Sequence, residues 1–323
     1  MPLIESCQVT AEDWPLARPF RISRDAKSVA SVVSVTLTAA GISGRGEGCP
    51  YPRYGESVAE TVATLRGIDW RPFASLDLAA MRHALSDHLP AGSARNALDC
   101  ALWDLAAKTA RRPAWKLAGI PAPRPAMTCY TLSLDTPAAM AADARAHHDC
   151  PLLKLKLGDG AADAERMHAV RAARPEARLV ADANEGWQPA DLAHLLAVAA
   201  ECRLELIEQP LAQHADAVLA DITPAVPLCA DESAAPGVAI ADLWPRYQAV
   251  NIKLDKVGGL TAALKTAAAA RQLGFKIMVG SMVSTSLSMA PAALLAAEAS
   301  WLDLDSPLLL ARDRDNAMAI TDG

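Results

Sequence analysis

Short runs of apolar residues recur through residues 152–305, and most of them end at a charged side chain. Successive charged ends are 26, 26, 23, 25 and 47 residues apart, and the longest interval contains a further apolar run, KIMVGSM. Nearly every interval fits one buried strand plus one helix, the repeating unit of a (β/α) barrel. In such barrels functional side chains stand at the carboxyl ends of the strands, around one mouth. The six charged ends are Lys156, Asp182, Glu208, Asp231, Lys256 and Asp303.

The pattern predicts a barrel over residues 121–305. Its eight predicted strands are 127–134, 152–157, 179–183, 204–208, 227–230, 250–254, 276–282 and 301–305. Ala-rich segments such as 189–200 and 260–273 predict helices between the strands. Too few residues follow 305 for a full eighth helix in the usual place.

Residues 1–120 have a different pattern and predict an α+β domain. Residues 31–38 are rich in β-branched side chains and partly alternate, and turn residues follow at 41–48, which predicts a small antiparallel sheet. Three segments then have helical spacing, at 56–65, at 76–88 and from Ser93. A Pro-rich connector at 120–125 marks the boundary, and the tail 306–323 is expected to pack back on this first domain.

Composition narrows the possible partners. A chain of 323 residues is long enough for a barrel of about 250 residues and a smaller domain. A formal net charge of −6 without a basic stripe argues against nucleic acid, and no apolar run approaches the roughly 20 residues that span a bilayer. The N-terminus does not resemble a signal peptide, and seven scattered cysteines without a CxxC pair predict reduced thiols in the cytoplasm.

Strand alternation places Lys154 and Lys156 on one face of the second predicted strand. Inside a barrel both ammonium groups would project into the lumen. Burial and like charge favour the neutral amine, so we expect a lowered lysine pKa that suits a general base. The alternative is an exposed edge strand with two solvated lysines.

Asp182, Glu208 and Asp231 end three successive predicted strands. Three converging carboxylates repel one another unless a cation holds them, and oxygen ligands suit Mg²⁺ better than Zn²⁺. Asn184 and Gln209 lie beside them in sequence. The alternative for each single carboxylate is a helix cap.

Lys256 follows the sixth predicted strand, which lies across the barrel from the second. A substrate carbon could therefore lie between Lys156 and Lys256. Lys253 competes for this role, but it lies inside the predicted strand, where we expect a structural ion pair.

The segments LKLKLG, DANEGW, IEQP, ADES and NIKLDKVGG, in this order and spacing, resemble the enolase superfamily in its muconate-lactonizing-like branch. GRGEGCPYPRYGES and ARNALDCALWDLAAK resemble the capping domain of that family. The resemblance implies a capping domain over a (β/α)7β, TIM-like barrel. It further implies one Mg²⁺ per subunit on the three carboxylates, with Lys156 and Lys256 as acid and base. Lysine bases with Mg²⁺ are an established property of this superfamily and do not follow from the spacing.

Within the branch, Asp303 and Asp305 look like the Asp-x-Asp motif of dipeptide epimerases of the L-Ala-D/L-Glu type, which holds the substrate's α-ammonium group. Arg24 resembles the arginine that meets the glutamate carboxylate in those enzymes. The alternatives are solvated or capping aspartates and a solvated loop cation. One departure is Ser284, where the family often has a glutamate. The full set expected to bind substrate is Arg24, Asp303, Asp305, Thr131 and Ser281.

We therefore expect a Mg²⁺-dependent dipeptide epimerase with a two-base 1,1-proton transfer at the α-carbon of the C-terminal residue. Its expected setting is murein peptide recycling in the cytoplasm, as a homo-oligomer with a small dipeptide substrate. Other members of the branch are alternatives: an N-acylamino acid racemase, an o-succinylbenzoate synthase or a cycloisomerase. A barrel that only binds ligands is a further alternative, which the intact lysines and carboxylates disfavour.

Overall fold

The computed structural model describes residues 4–321 and contains two β-sheets. One is a three-stranded antiparallel sheet near the N-terminus, and the other has eight parallel strands. Residues 1–3 and 322–323, at the ends of the predicted capping domain and its tail, lie outside the described residues. Within the described residues no helix is both long and apolar enough to cross a membrane.

The antiparallel sheet consists of β1 (Ser6–Ile22), β2 (Asp25–Ala39) and β3 (Ile42–Gly48). The predicted strand at 31–38 is part of β2, whereas β1 was not predicted. Most side chains of β1 are exposed or half-buried, and its register with β2 shifts between Pro15 and Phe20. Proline and an irregular register weaken the alternation from which a strand is recognised.

Three helices follow the sheet at the predicted places. They are α1 (Val58–Arg66), α2 (Leu78–His88) and α3 (Ser93–Ala110). The last lies directly on β3, where Gly44, Gly46 and Gly48 share one face. A Cβ atom at any of the three would overlap the backbone of α3. Alternate glycines therefore let strand and helix approach more closely than side chains permit.

The eight parallel strands form a nearly closed barrel. In chain order they are β4 (Tyr130–Leu132), β5 (Leu152–Lys156), β6 (Arg178–Asp182), β7 (Leu204–Glu208), β8 (Leu228–Ala230), β9 (Ala249–Lys253), β10 (Lys276–Gly280) and β11 (Trp301–Asp303). Each strand pairs with its neighbours in sequence order. The ends meet where Cys129 N donates to Leu302 O at 2.9 Å. The first and last strands are shorter than predicted, so Asp305 lies beyond β11.

Helices cover the outside of the barrel, but two of the connections differ from the prediction. The helices after α3 are α4 (Ala114–Leu117), α5 (Pro137–Ala146), α6 (Ala162–Ala173), α7 (Leu192–Glu201), α8 (Leu254–Val257), α9 (Leu260–Gln272), α10 (Ser286–Ala293) and α11 (Ser306–Leu309). After β7 and β8 the described chain forms only short 3-10 turns, Asp216–Asp221 and Ile240–Leu243. The expectation of one helix per interval is therefore wrong there. Pro236 and Pro245 interrupt the connection after β8, which disfavours a full helix there.

The C-terminal tail connects the antiparallel sheet to the barrel. Leu310 pairs with Leu16 of β1 as an isolated bridge. Arg314 forms ion pairs with Glu12 at 2.6 Å and with Glu47 at 2.7 Å, and Glu47 also accepts a hydrogen bond from Thr285 N. Because Glu47 is buried, these donors are needed to compensate its charge.

Gly46→Ala should destabilise the protein by about 1–3 kcal/mol or more, because the added methyl group would force β3 away from α3. Thermal unfolding followed by circular dichroism would measure the change. Arg45→Ala, on the exposed face of the same strand, is the matched control and should leave the midpoint nearly unchanged. Equal midpoints for Gly46→Ala and wild type would contradict this account of the contact.

Candidate functional site

A cavity of about 560 Å³, open to solvent, lies at the carboxyl ends of the barrel strands, beside the hairpin that joins β1 and β2. The hairpin is bound to the barrel: Arg21 N donates to Ser133 Oγ at 2.7 Å, and Arg18 forms an ion pair with Asp143 at 2.7 Å. Hairpin and barrel thus share the cavity wall. Its charged side chains include Arg24, Lys27, Lys156, Asp231, Glu232 and Lys253.

Lys156 is the last residue of β5 and reaches the cavity, as predicted. Its Nζ lies 2.6 Å from Asp182 Oδ2 and 5.8 Å from the centre of the Phe20 ring of the hairpin. The ammonium group therefore has a carboxylate on the barrel side and an aromatic face on the hairpin side.

Lys154 is completely buried and lies among carboxylates. Its Nζ is 2.6 Å from Asp303 Oδ2 and 3.3 Å from Asp182 Oδ2. It also lies 2.6 Å from Glu208 Oε2, although outside hydrogen-bonding geometry. Burial alone lowers the pKa of Lys154, but these three carboxylates outweigh it and hold the pKa well above its usual value. At Lys154 the shift is thus opposite to the lowered lysine pKa expected on this strand, because carboxylates rather than a second ammonium group dominate its surroundings.

Lys253, not Lys256, lies on the cavity wall. Lys253 is the last residue of β9, and its Nζ is 2.7 Å from Asp231 Oδ2. Lys256 lies in the short helix α8, where its buried Nζ donates to the main-chain and side-chain oxygens of Asp231 at 2.6 Å each. The assignment of Lys256 to the cavity is corrected, because β9 ends one residue earlier than predicted and Lys256 follows on the helix. The predicted ion pair of Lys253 is confirmed, but it lies in the wall of the cavity and is therefore part of the candidate site.

Asp182, Glu208 and Asp231 are all buried at the ends of neighbouring strands. Burial opposes their ionisation, yet Lys156 and Lys154 lower the pKa of Asp182, and Lys253 and Lys256 lower that of Asp231. For Glu208, burial and then the charge of Asp182 raise the pKa to about 7. Lysine compensation is thus uneven across the three carboxylates.

Several buried oxygen atoms at this site lack a hydrogen-bond donor. They are Glu208 Oε2, Asn184 Oδ1, Asn251 Oδ1 and Glu232 Oε2. Within residues 4–321, however, no three His, Cys, Asp or Glu side chains are arranged as a ready-made metal site, and the nearest groups to the predicted ligands are lysines. Oxygen atoms without donors, at strand ends that carry excess negative charge, nevertheless fit a hard divalent cation. The predicted ligand set is chemically suitable for Mg²⁺.

Asp303 and Asp305 lie close to Thr131 of β4 and are not among the residues that line the cavity. Asp305 Oδ2 accepts a hydrogen bond from Thr131 N at 2.6 Å, and Thr131 Oγ1 lies 3.4 Å from Asp303 Oδ1. Burial and the charge of Asp303 raise the pKa of Asp305 to about 7. Neither aspartate is a solvated rim residue, but Asp303 is already paired with Lys154.

Arg24 lines the cavity, but both terminal nitrogens of its guanidinium group are already hydrogen-bonded. They point to Asn184 O at 2.7 Å, Glu232 Oε1 at 2.5 Å and, at longer range, Glu185 and Tyr51. It is therefore neither a solvated loop cation nor a free one. Lys27, which the sequence analysis missed, is less tightly held: its Nζ lies 3.9 Å from Asp25 Oδ2 and 4.6 Å from the centre of the Tyr51 ring.

The two predicted positions after β10 have separate roles. Ser281 lines the cavity, and its Oγ donates to Asp303 O at 3.4 Å. Ser284, which stands where the family often has a glutamate, is fully buried and exchanges hydrogen bonds with Ser306. A short side chain suits this enclosed position.

Other residues of the site carry weaker sequence signals. Glu232 follows Asp231 directly and binds Arg24, and Asn251 Nδ2 donates to Glu208 Oε1 at 2.6 Å. Asn251 and Lys253 are two residues apart on β9 and therefore face the same side of the strand. Knowledge of the exact strand ends would have identified both as residues of the site.

Comparison with known proteins agrees with this architecture. Residues 4–119 match the mandelate racemase/muconate lactonizing enzyme N-terminal domain, and residues 137–319 match the enolase C-terminal domain-like family. The chain is 42% identical to the L-Ala-D/L-Glu epimerase of Escherichia coli K12, over 99% of both chains. It is also 42% identical to an N-acetyl-D-glutamate racemase from a Pseudoalteromonas species, over 87% of this chain and 88% of the relative.

Among solved structures, the chain resembles an enolase family member from Agrobacterium tumefaciens, described as homologous to dipeptide epimerases and solved with sodium and L-Ala-L-Glu. The TM-score is 0.93 at 47% identity, covering 98% of this chain and 95% of the other. Both domains and the whole length of the chain are thus matched. The chain belongs to the enolase superfamily, with the mandelate racemase/muconate lactonizing enzyme arrangement of a capping domain on a barrel.

Proposed function

We propose that this protein is a Mg²⁺-dependent dipeptide epimerase that inverts the α-carbon of the C-terminal residue, with L-Ala-D/L-Glu as its substrate. One observation carries the proposal: Lys156 and Lys253 line the same cavity from β5 and β9, the second and sixth strands of an eight-stranded barrel. Strands four positions apart lie on opposite sides of the barrel. Two lysines on opposite sides of a substrate can exchange a proton with either face of one carbon.

In this mechanism one lysine removes the α-proton and the other returns a proton to the opposite face. Lys156 and Lys253 take these roles, and Lys256 holds the turn at Asp231. Burial lowers the pKa of Lys253, but Asp231 and Glu208 outweigh it and raise the pKa. Lys253 would lose part of this stabilisation once the same carboxylates bind a cation, which would bring its pKa towards that of a usable base.

Asp182, Glu208 and Asp231 are the proposed ligands of Mg²⁺. When bound there, the ion supplies positive charge opposite the substrate's C-terminal carboxylate, where negative charge develops as the α-proton leaves. Lys154 remains an ammonium group beneath this set and compensates Glu208 and Asp303.

The substrate side chain would lie beside the hairpin. Arg24 was expected to bind the glutamate carboxylate, but Glu232 and Asn184 already occupy its donors. Lys27 lines the same cavity, and within residues 4–321 its nearest carboxylate is that of Asp25, at 3.9 Å. We therefore assign the side-chain carboxylate to Lys27, with Arg24 shaping the pocket around it.

Asp303 and Asp305 are the proposed partners of the substrate's α-ammonium group. The raised pKa of Asp305 supports this role, because a nearby cation would stabilise its ionised form. Since Asp303 already contacts Lys154, Asp305 would carry most of the interaction. The setting proposed for the reaction is the turnover of murein dipeptides in the cytoplasm by a homo-oligomer.

A second candidate is an N-acylamino acid racemase acting on N-acetylglutamate. Two observations favour it: the relative of that activity at 42% identity, and the ion pair of Asp303 with Lys154, which leaves less negative charge for a substrate ammonium group at Asp303 and Asp305. An acylated amino group carries no positive charge and does not need these aspartates. Both candidates share the lysines, the cation and the acidic side chain.

Proton NMR in D₂O should separate the two candidates. With enzyme and Mg²⁺, the glutamate α-proton signal of L-Ala-L-Glu should disappear while the other diastereomer forms, and EDTA should stop the reaction. N-acetyl-L-glutamate, tested in parallel, should exchange more slowly. Faster exchange of N-acetyl-L-glutamate would favour the racemase, and no exchange in either compound would rule out both.

Separate substitution of Lys253 and Lys256 should distinguish their roles. Lys253→Gln should lower epimerisation by a factor of about 10²–10⁴, because one face of the carbon loses its proton-transfer group. Lys256→Gln should chiefly lower the thermal midpoint, because it leaves Asp231 with less compensation. Initial rates per folded molecule and thermal unfolding of both variants would test this, and a reversed pattern would restore Lys256 as the base.

Lys27→Met should lower kcat/KM for L-Ala-L-Glu roughly ten- to hundredfold, the range expected for a lost charge-assisted hydrogen bond. L-Ala-L-Gln, which has nearly the same shape without the charge, should change little. The ratio of the two kcat/KM values in wild type, Lys27→Met and Arg24→Met is the measurement. If only Arg24→Met changes the ratio, the carboxylate belongs to Arg24 instead.

A further inference from the structure

Gln209 directly follows Glu208 at the end of β7 and is fully buried. Its backbone has a φ of +36°, a left-handed conformation that is unfavourable for a residue with a side chain. Contacts with neighbouring residues must therefore stabilise this conformation of Gln209. It does not line the cavity, so direct contact with a ligand there does not explain its position.

The Gln209 side chain connects β7 to the turn after β8. Its Oε1 accepts hydrogen bonds from Asp231 N at 3.0 Å and from Ser233 N at 2.9 Å. The backbone N–H of Gln209 donates to Cys229 O at 2.9 Å, one residue beyond the short pairing of β7 with β8. One residue thereby extends the contact between two strands that bear proposed Mg²⁺ ligands.

The nitrogen of the Gln209 amide is also hydrogen-bonded. Gln209 Nε2 donates to Leu211 O at 2.8 Å, to Ser233 Oγ at 2.8 Å and to Tyr247 OH at 2.9 Å. Its two hydrogens are thus shared among three acceptors. All of these partners are buried, so no competing water contact is needed to satisfy them.

Asp216 sets the direction of this network. The hydroxyl groups of Ser233 and Tyr247 donate to Asp216 Oδ2 at 2.6 and 2.8 Å, and Arg246 forms an ion pair with Asp216 Oδ1 at 2.5 Å. Because both hydroxyl protons point to the carboxylate, both oxygens are left to accept from Gln209. The amide therefore has one stable orientation, with Oε1 towards Asp231 N.

We propose that Gln209 is a positioning residue that fixes Asp231 relative to Glu208, and that the ion pair of buried Asp216 with half-buried Arg246 fixes the orientation of Gln209. This inference rests on the proposed role of the two carboxylates as Mg²⁺ ligands. Gln209 acts through backbone contacts and touches neither substrate nor cation. Removal of the Gln209 amide should weaken cation binding more strongly than it weakens substrate binding measured at a saturating cation concentration.

The test is Mn²⁺ binding to the full-length protein, measured by electron paramagnetic resonance in the absence of substrate. Gln209→Met keeps a similar volume and removes the amide, and it should raise the Kd for Mn²⁺ about 10–100-fold. At saturating Mg²⁺ much of kcat should return, with a nearly unchanged KM for dipeptide. A thermal midpoint close to that of wild type would show that the variant is folded.

Gln248→Met is the matched control. Gln248 Oε1 accepts from Leu228 N at the opposite end of β8, so its loss should leave Mn²⁺ binding unchanged. Tyr247→Phe removes one partner of the amide with little change in shape, and it should weaken Mn²⁺ binding about two- to tenfold. This milder variant decides the question if Gln209→Met does not fold.

Unchanged Mn²⁺ affinity in a folded Gln209→Met protein would overturn the inference, and unchanged affinity in Tyr247→Phe, which removes one of the two hydroxyl groups between Asp216 and the amide, would overturn the orienting role of Asp216. Equal weakening in Gln248→Met would also overturn it, because the effect would then be a general loss of barrel stability. A wild-type protein that binds Mn²⁺ but epimerises no dipeptide would disprove the proposed function and leave this experiment decisive. A wild-type protein without Mn²⁺ binding would disprove both.

Discussion

The burial of many charges at one end of the barrel is the constraint on which the rest of the site depends. Ionised groups enter a protein interior only when partners compensate them. Lys154 compensates three carboxylates at once, and Asp231 is shared by two lysines. This alternation of charges keeps the side chains in place. Because Glu208 and Asp305 are compensated least, the site retains an affinity for additional positive charge, and the proposed cation and substrate ammonium group would supply it.

The barrel and the acidic set were predictable because both depend on local patterns. A strand buried on both faces gives a short apolar run, and a functional carboxylate at its end interrupts that run. The cavity position of Lys253 was missed because β9 ends one residue earlier than predicted, so that Lys253 is its last residue and stands at the mouth of the barrel. The helix expected after β8 did not form for a different reason, because Pro236 and Pro245 interrupt that connection.

The capping sheet was harder to predict because its first strand has little to bury. Strand β1 is long and mostly exposed, and its partners come from β2 and from the tail. Contacts of this kind, such as Arg314 with Glu12 and Glu47, join residues 302 and 267 positions apart and leave no local pattern. The roles proposed for Lys27 and Arg24 could not be derived from the sequence for the same reason, because the availability of a cation depends on neighbours supplied by the barrel.

The close contact between β3 and α3 also has a mechanical meaning. The glycines at 44, 46 and 48 leave no side-chain layer between β3 and α3, so this pair of elements forms a stiff body at the base of the sheet. The β1–β2 hairpin extends from this body to the cavity, where Phe20 faces Lys156. A small tilt at the base would become a larger displacement at the tip. The precision of the cavity wall is therefore determined partly by packing at the far end of the sheet.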